Sequence, residues 1–328
     1  MNLDEKPTLW DEPQELCTAL ALLSLMRVPG IGAVKAIEVA QKFSSWAHIA
    51  STPPEVLNDV VGKPAQELAY AAANPPWVAE PPEEVQLVSY FDDQFPAGLR
   101  SIPSPPAVLW VRGSTPAAHR CVAVVGTRHP TQGGIEAARA STEALVAHGY
   151  GIVSGLATGI DTVAHTAALD SGGLTWAYLG GGIERPTPRS NAELAERIVD
   201  EGGGLLSEQP LGTEPAGPTL VARDRLQSGS SQTTVIVQSG VPSGTLHTAR
   251  FTLEQGRQLA VQVPDENESG DPAWEANLRL VDLDGCDPKI LRPNSDRLRK
   301  QIAERCPVAD LAFTDPSQLV EGLKDRQP

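Results

Sequence analysis

The sequence predicts an α/β protein, a doubly wound, mostly parallel sheet preceded by a small N-terminal all-helical module. Two observations predict the sheet. From residue 121 onward, apolar runs of strand length alternate with stretches of helical periodicity. The strand runs end in glycine-bearing turns, as βα connections do. The module follows from a third: residues 14–74 hold short helical patterns and no strand pattern.

In chain order, residues 1–14 are polar with two prolines and read as a loosely attached lead. Helices are expected over 16–26, 33–43, 54–61 and 65–73. Between the first two stands Val28-Pro29-Gly30-Ile31-Gly32, the hairpin of a helix-hairpin-helix or SAM-like module. Its glycines would let backbone amides approach a phosphate, but the many acids nearby favour a packing role. Residues 75–82 are a proline-rich linker, and short strands with proline turns over 87–113 lead into the sheet. Domain boundaries follow at 1–76, 84–264 and 265–328.

The central stretch begins with the strand Cys121-Val122-Ala123-Val124-Val125, a run too short for a helix and apolar on both faces. Gly126-Thr127-Arg128 opens a polar turn that reaches Thr131 before a helix over 132–148. Strands are then expected over 150–154, 174–179, 204–207, 233–238 and 258–263, with helices from about 158, over 191–200 and over 244–255. Residues 208–232 read as a long polar connection in which Arg223 and Arg225, two apart in extended chain, point to one side. Ser228 and Gly229 would complete an anion nest there. The tail is acidic at first, with helical stretches near 274–280, 298–306 and 317–323.

In doubly wound sheets, ligands sit beyond the carboxyl ends of the strands. Those ends carry Gly126–Arg128, Ser154-Gly155, Gly180-Gly181 and Ser243-Gly244-Thr245. Glycines allow close backbone approach, hydroxyls donate, and guanidinium groups offer planar forks for phosphate oxygens. A single glycine after the first strand is not the three-glycine dinucleotide fingerprint, so a redox enzyme is excluded and no cofactor is called for.

The net charge of −15 excludes a generally basic nucleic-acid binder, so any polyanion site is a local patch. Residues 114–264 hold 10 basic groups, all arginine, against 13 acidic ones. Four cysteines (Cys17, Cys121, Cys286, Cys306) without a CxxC pair argue against a zinc site or a disulfide framework. The acidic start is unlike a signal peptide, and no apolar run approaches the length of a membrane span, so a cytoplasmic protein without membrane insertion is expected.

Six linked motifs resemble the DprA/Smf family of DNA-processing proteins. They are Val124-Val125-Gly126-Thr127-Arg128-x-Pro130-Thr131, Val153-Ser154-Gly155-Leu156-Ala157-x-Gly159-Ile160-Asp161 and Leu179-Gly180-Gly181-Gly182. The others are Leu206-Ser207-Glu208-x-Pro210, Arg223-x-Arg225-x-x-Ser228-Gly229 and Ser243-Gly244-Thr245-x-x-Thr248-Ala249-Arg250. The resemblance covers roughly residues 15–264. It implies a Rossmann-like domain that binds single-stranded DNA as a homodimer and loads the RecA recombinase during natural transformation, without established catalysis. It assigns backbone phosphate to Gly126, Thr127, Arg128 and Thr131. Arg223 and Arg225 would join the basic pocket, with the backbone around Gly155, Gly180 and Gly244. The chain departs from the family pattern at Thr158 and Asp224, where arginine and asparagine are usual, and its tail has no clear winged-helix pattern. An alternative function is a sensor or hydrolase for a small nucleotide or ADP-ribose-type ligand in the same pocket, with Asp161 and Glu208 as candidate carboxylates.

Overall fold

The computed structural model describes residues 15–282, 288–293, 295–303, 305 and 307–324; the polar lead read at 1–14 lies outside them. The chain forms two compact units, one of residues up to Phe95 with Pro103–Trp110, the other of Pro96–Ile102 with everything from Val111.

The first unit contains helices α1 (Ala19–Met26), α2 (Ala33–Lys42), α3 (Trp46–Ala50), α4 (Pro54–Val61) and α5 (Ala65–Ala73), and strand β1 (Gln86–Ser89). Local chemistry starts these helices. The Thr18 hydroxyl accepts from the Ala21 amide and the Ser45 hydroxyl from the His48 amide, while Pro54 stands at the first position of α4. Leu16, Leu22, Leu25, Ile49, Leu57 and Leu68 are wholly buried and form its core. In the hairpin, Val28 and Ile31 point into this core, and Gly30 takes a positive φ of 82°.

The second unit holds the sheet. After helix α6 (Ala97–Arg100) and strand β2 (Val108–Gly113), whose residues up to Trp110 belong to the first unit, come β3 (Cys121–Val125), α7 (Gln132–Ala147), β4 (Gly151–Ser154), α8 (Ile160–Asp170) and β5 (Thr175–Leu179). Then follow α9 (Ala192–Asp200), β6 (Gly204–Ser207), α10 (Gly217–Gly229), β7 (Thr233–Ile236), α11 (Thr245–Glu254) and β8 (Gln258–Gln262). The C-terminal segment adds α12 (Glu275–Val281), α13 (Asp296–Ala303), β9 (Leu311–Phe313) and α14 (Pro316–Lys324).

Strands β3 to β9 run in the order β6-β5-β4-β3-β7-β8-β9, every neighbouring pair parallel. Alternation along each strand feeds two separate cores. Val122, Val124, Val235, Ala260 and Phe313 face the side covered by α7, α8 and α14. Val125, Ile236, Leu259 and Val261 face the side covered by α11, α12 and α13. The sheet is therefore wound on both faces, as the sequence predicts. Its winding reverses between β3 and β7: the chain leaves β3 toward one edge and returns from β7 toward the other. Such a reversal opens a crevice at the carboxyl ends of the two strands.

Helices α3 and α6 are not in the sequence reading, which has no helix over 46–50 and short strands over 87–113, and two further elements differ from it. Residues 217–229 of the supposed polar connection form helix α10. Its buried face is polar, with Arg223, Asp224, Gln227 and Ser228 all under 9 % exposed, so the apolar periodicity that announces a helix is missing. The tail also supplies β9, which extends the sheet beyond β8 with the register Ala260↔Leu311 and Gln262↔Phe313. Three residues are too few to show an alternation in sequence.

Candidate functional site

A cleft of about 480 Å³ lies at the reversal point. Its floor begins where β3 runs out. The Thr127 amide donates to the Gln238 carbonyl at 2.7 Å, joining the ends of β3 and β7, and the Thr127 carbonyl accepts from the Ile160 amide at 3.1 Å. Gly126 is needed for this close packing, since a Cβ there would lie 2.5 Å from Ile160 Cγ1 and 2.9 Å from the Gln238 carbonyl oxygen. The turn carries Arg128 outward. It is exposed, and among the described residues it makes no hydrogen bond or ion pair.

The opposite wall comes from α10 and α11. Gly217, at the start of α10, and Gly244 and Thr245, at the start of α11, both line the cleft. Neither cap residue, Ala216 nor Gly244, caps its helix with a side-chain hydrogen bond. Helix starts carry a partial positive charge, which favours an anion at this wall; at α11 the Ser243 hydroxyl already accepts from the Thr245 amide at 3.2 Å.

Deeper in, the charges are mixed. Arg223 is buried and donates from one guanidinium nitrogen to the carbonyls of Gly155 at 2.6 Å and Tyr178 at 2.7 Å. It thereby ties α10 to the ends of β4 and β5. Its Nε lies 3.2 Å from Asp224 Oδ1. Asp161, also buried, accepts from the amides of Gly155 at 3.2 Å and Ala157 at 3.3 Å through one oxygen, which holds the turn after β4. Burial raises the Asp161 carboxyl above its ordinary range, against the pull of Arg223 and the amides. Burial likewise pushes Asp224 up to about 7; Arg223 lowers it, the Asp161 charge raises it and Arg128 lowers it.

Of the residues singled out in the sequence, the structure brings Gly126, Thr127, Arg128, Arg223, Ser243, Gly244 and Thr245 together around this cleft. Asp161, named as a candidate carboxylate, also lines it, whereas Glu208 and the remaining candidates stand apart from the lining. Thr131 caps α7, its hydroxyl accepting from the Gly134 amide at 3.1 Å. The Ser154 hydroxyl donates to the Val124 carbonyl at 2.7 Å. Gly155 is pressed against Arg223, Gly180 against Leu220 and Gly181 against Pro215.

The pairing of Arg223 with Arg225 is corrected by α10. Two residues apart on a helix is about 200° of rotation, so the side chains diverge. Arg225 turns to Glu208, donating to Oε1 at 2.7 Å and Oε2 at 2.6 Å. The anion nest at Ser228 and Gly229 is not formed either. The Ser228 hydroxyl donates to Gln255 Oε1 at 2.9 Å, and Gly229 packs against Leu99 and Ile102 at the closed end of α10. The sequence reading missed His129, Leu220 and His247 in the lining. His247 stands at an unspecified position inside the motif from Ser243 to Arg250, where only the helical period of α11 could have placed it.

Comparison with known proteins decides the family. The model of the DNA recombination-mediator protein A family matches residues 86–283. The chain belongs to that family. In sequence, the chain is 34 % identical to Protein Smf of Synechocystis over 251 residues, 72 % of this chain and 62 % of that one. It is 39 % identical to DNA processing protein DprA of Bacillus subtilis over 177 residues, 53 % of this chain and 59 % of the relative. It is 37 % identical to Protein Smf of Escherichia coli over 201 residues, 60 % and 53 % of the two chains. The matches thus span between about half and three fifths of these relatives' length. The fold is that of DprA from Streptococcus pneumoniae (TM-score 0.67, 22 % identity, 93 % of this chain and 97 % of that one). DprA from Helicobacter pylori, described with a single-stranded DNA binding mode, has a TM-score of 0.56 at 22 % identity, covering 74 % and 98 %. The DprA/Smf family is thus named for mediation of recombination, not for a catalysed reaction. Among the described residues no helix is long and apolar enough to cross a membrane, and no cluster of side chains could hold a metal ion.

Proposed function

We propose that the cleft at the β3/β7 reversal grips the phosphodiester backbone of single-stranded DNA, and that the protein acts as a recombination mediator. The observation that carries this reading is Arg128, exposed and unpaired among the described residues, facing a wall built from the starts of α10 and α11. A guanidinium and two helix starts around one hollow are chemistry for a phosphate. The single-stranded DNA binding of the Helicobacter pylori relative supports the choice of polymer. Delivery of the strand to RecA, and action as a homodimer in a cytoplasmic setting, belong to the same proposal.

Of the two carboxylates that the hydrolase reading names, Glu208 lies outside the cleft lining. Glu208 is held at both oxygens by Arg225, and one Asp161 oxygen is engaged by two backbone amides. A general base needs an oxygen within reach of a bound water or substrate.

The test is a fluorescence titration with labelled oligo-dT over a range of salt. The wild-type chain is expected to bind with steep salt dependence. Arg128→Ala should weaken binding at least about tenfold, the loss of one charge-assisted contact, and should leave the melting temperature unchanged at pH 5, where Asp224 is protonated and does not depend on the Arg128 charge. Absence of binding at low salt, with AMP or ADP-ribose raising the melting temperature, would overturn the DNA reading in favour of a nucleotide site.

A further inference from the structure

A second hollow of about 180 Å³ adjoins the cleft across the start of α11. Its walls are the turn from β7 into α11 and residues 289–292 of the C-terminal segment. Pro242, Ser243 and His247 line both spaces, so the two are neighbours across one wall. At about 30 Å³ per water the smaller holds about six waters, room for a phosphate group rather than a whole nucleotide.

Its chemistry differs from that of the cleft. Lys289, Arg292 and His247 line it, with no carboxylate among the described lining residues, on a chain whose net charge is −15. The segment is anchored from below: Ile290 and Leu291 are buried in the core with α11 and α13, leaving Lys289 and Arg292 exposed on either side. Arg292 takes a φ of 47°, a left-handed conformation uncommon outside glycine, asparagine and aspartate. The buried Arg250 donates to its carbonyl at 3.3 Å. Such a conformation persists only where the surrounding structure over-determines it. The positive field is felt inside the hollow. Burial lowers the His247 imidazole below its ordinary range, and the charges of Arg250 and Arg292 lower it further.

We propose that this hollow is a second phosphate subsite, formed by Lys289 and Arg292 of the C-terminal segment with the start of α11. It takes the next phosphodiester of a strand whose neighbouring phosphate lies against Arg128. The proposal rests on the reading of the cleft as a DNA grip. It makes the C-terminal segment part of the binding track, extending the strand's path from the cleft over the wall formed by Pro242, Ser243 and His247.

The experiment compares the full chain with Lys289→Ala, Arg292→Gly and the double variant, using fluorescein-labelled oligo-dT over a salt series and thermal melting. Glycine keeps the left-handed turn without strain, so Arg292→Gly is expected to melt no lower than wild type while binding weakens about tenfold. In the double variant, the slope of log affinity against log salt should flatten by about 0.7, the share of one phosphate on a single strand. Wild-type binding with the slope and affinity unchanged in all three variants, while Arg128→Ala weakens it, would overturn the subsite and leave the cleft reading intact. No wild-type binding at all would overturn both. If Arg292→Gly melts lower than wild type, Lys289→Ala alone decides: weakened binding supports the subsite, unchanged binding overturns it.

Discussion

Replacing Asp224 with asparagine tests the electrostatics of the cleft most directly. The carboxyl is 8 % exposed and its pKa stands near 7 against an ordinary 3.8. Between those values the folded chain holds a proton that the unfolded chain has released. The unfolded state then binds fewer protons, so stability falls as pH rises through the window from about 4 to about 7 and is fully present only below it. The displacement of about 3 pH units, at about 1.36 kcal/mol each, amounts to at most about 4 kcal/mol lost by pH 8. Asparagine carries no proton to lose. Loss of the contact from Arg223 Nε lowers the variant's stability by a roughly constant amount, and Asp161 titrates in both proteins. The stability of Asp224→Asn relative to wild type should therefore rise with pH and level off above about 7. Chemical denaturation at pH 4.5, 6 and 8 measures this. A difference that stays flat from pH 4.5 to 8 would refute the assignment of a burial-raised carboxyl. At pH 8 the variant also removes one negative charge from the cleft wall, so oligo-dT should bind more tightly to it than to wild type.

The remaining predictions concern residues that the structure removes from the cleft or adds to the core. Arg225→Ala leaves Glu208 largely buried without its partner, side-chain exposures being 12 % and 16 %, and should cost about 3–5 kcal/mol by denaturant melting; adding Glu208→Gln should recover part of it. Gly155→Ala would place a Cβ 1.9 Å from the Arg223 guanidinium, so it should force Arg223 off the Gly155 and Tyr178 carbonyls and destabilise the chain by more than about 2 kcal/mol. Phe313→Ala removes a side chain 1 % exposed from the core shared by β9, α7 and α14 and should cost about 3–5 kcal/mol. A near-neutral result there would show that the last strand is not part of the folded sheet.

How much of this was legible in the sequence depends on what each element buries. Strands β3 and β6 were found at their observed bounds because β3 is apolar throughout and stops at Gly126, while β6 sets Leu205-Leu206 between glycines and the polar turn at Ser207. The helices after β3 and β7 carry ordinary apolar periodicity and were placed within a few residues. Helix α10 was not, because its inner face spends Arg223 on two carbonyls and Ser228 on Gln255, contacts that leave no hydrophobic rhythm. That one missed helix also misplaced Arg225, Ser228 and Gly229, since the side to which Arg225 points follows from the helical turn. Glycine motifs told which turns converge on the strand ends. They could not tell which glycines face the cleft and which, like Gly180 and Gly229, make room for a neighbouring side chain. The second hollow was invisible for a different reason: Lys289 and Arg292 meet His247 only through the packing of Ile290 and Leu291.

A chain of net charge −15 can still hold a polyanion, because grip and approach are set at different distances. At physiological ionic strength the screening length is about 8 Å, so a bound phosphate feels chiefly the groups lining its own pocket. In the cleft these are Arg128, the starts of α10 and α11, and an inner pair of carboxyls raised by burial. In the second hollow they are Lys289 and Arg292 with no carboxylate among the described lining. The acids spread over the rest of the chain act instead on a strand still in solution, where they repel it and slow its arrival. Lowering the salt strengthens each local contact but also lengthens the reach of that repulsion. The association rate should therefore rise less on dilution of salt than it does for a basic protein making the same contacts, while the dissociation rate should fall as the contacts strengthen. Stopped-flow association at low salt separates the two: a rate that climbs steeply as salt is removed would mean that the acidic surface does not face the path of the incoming strand.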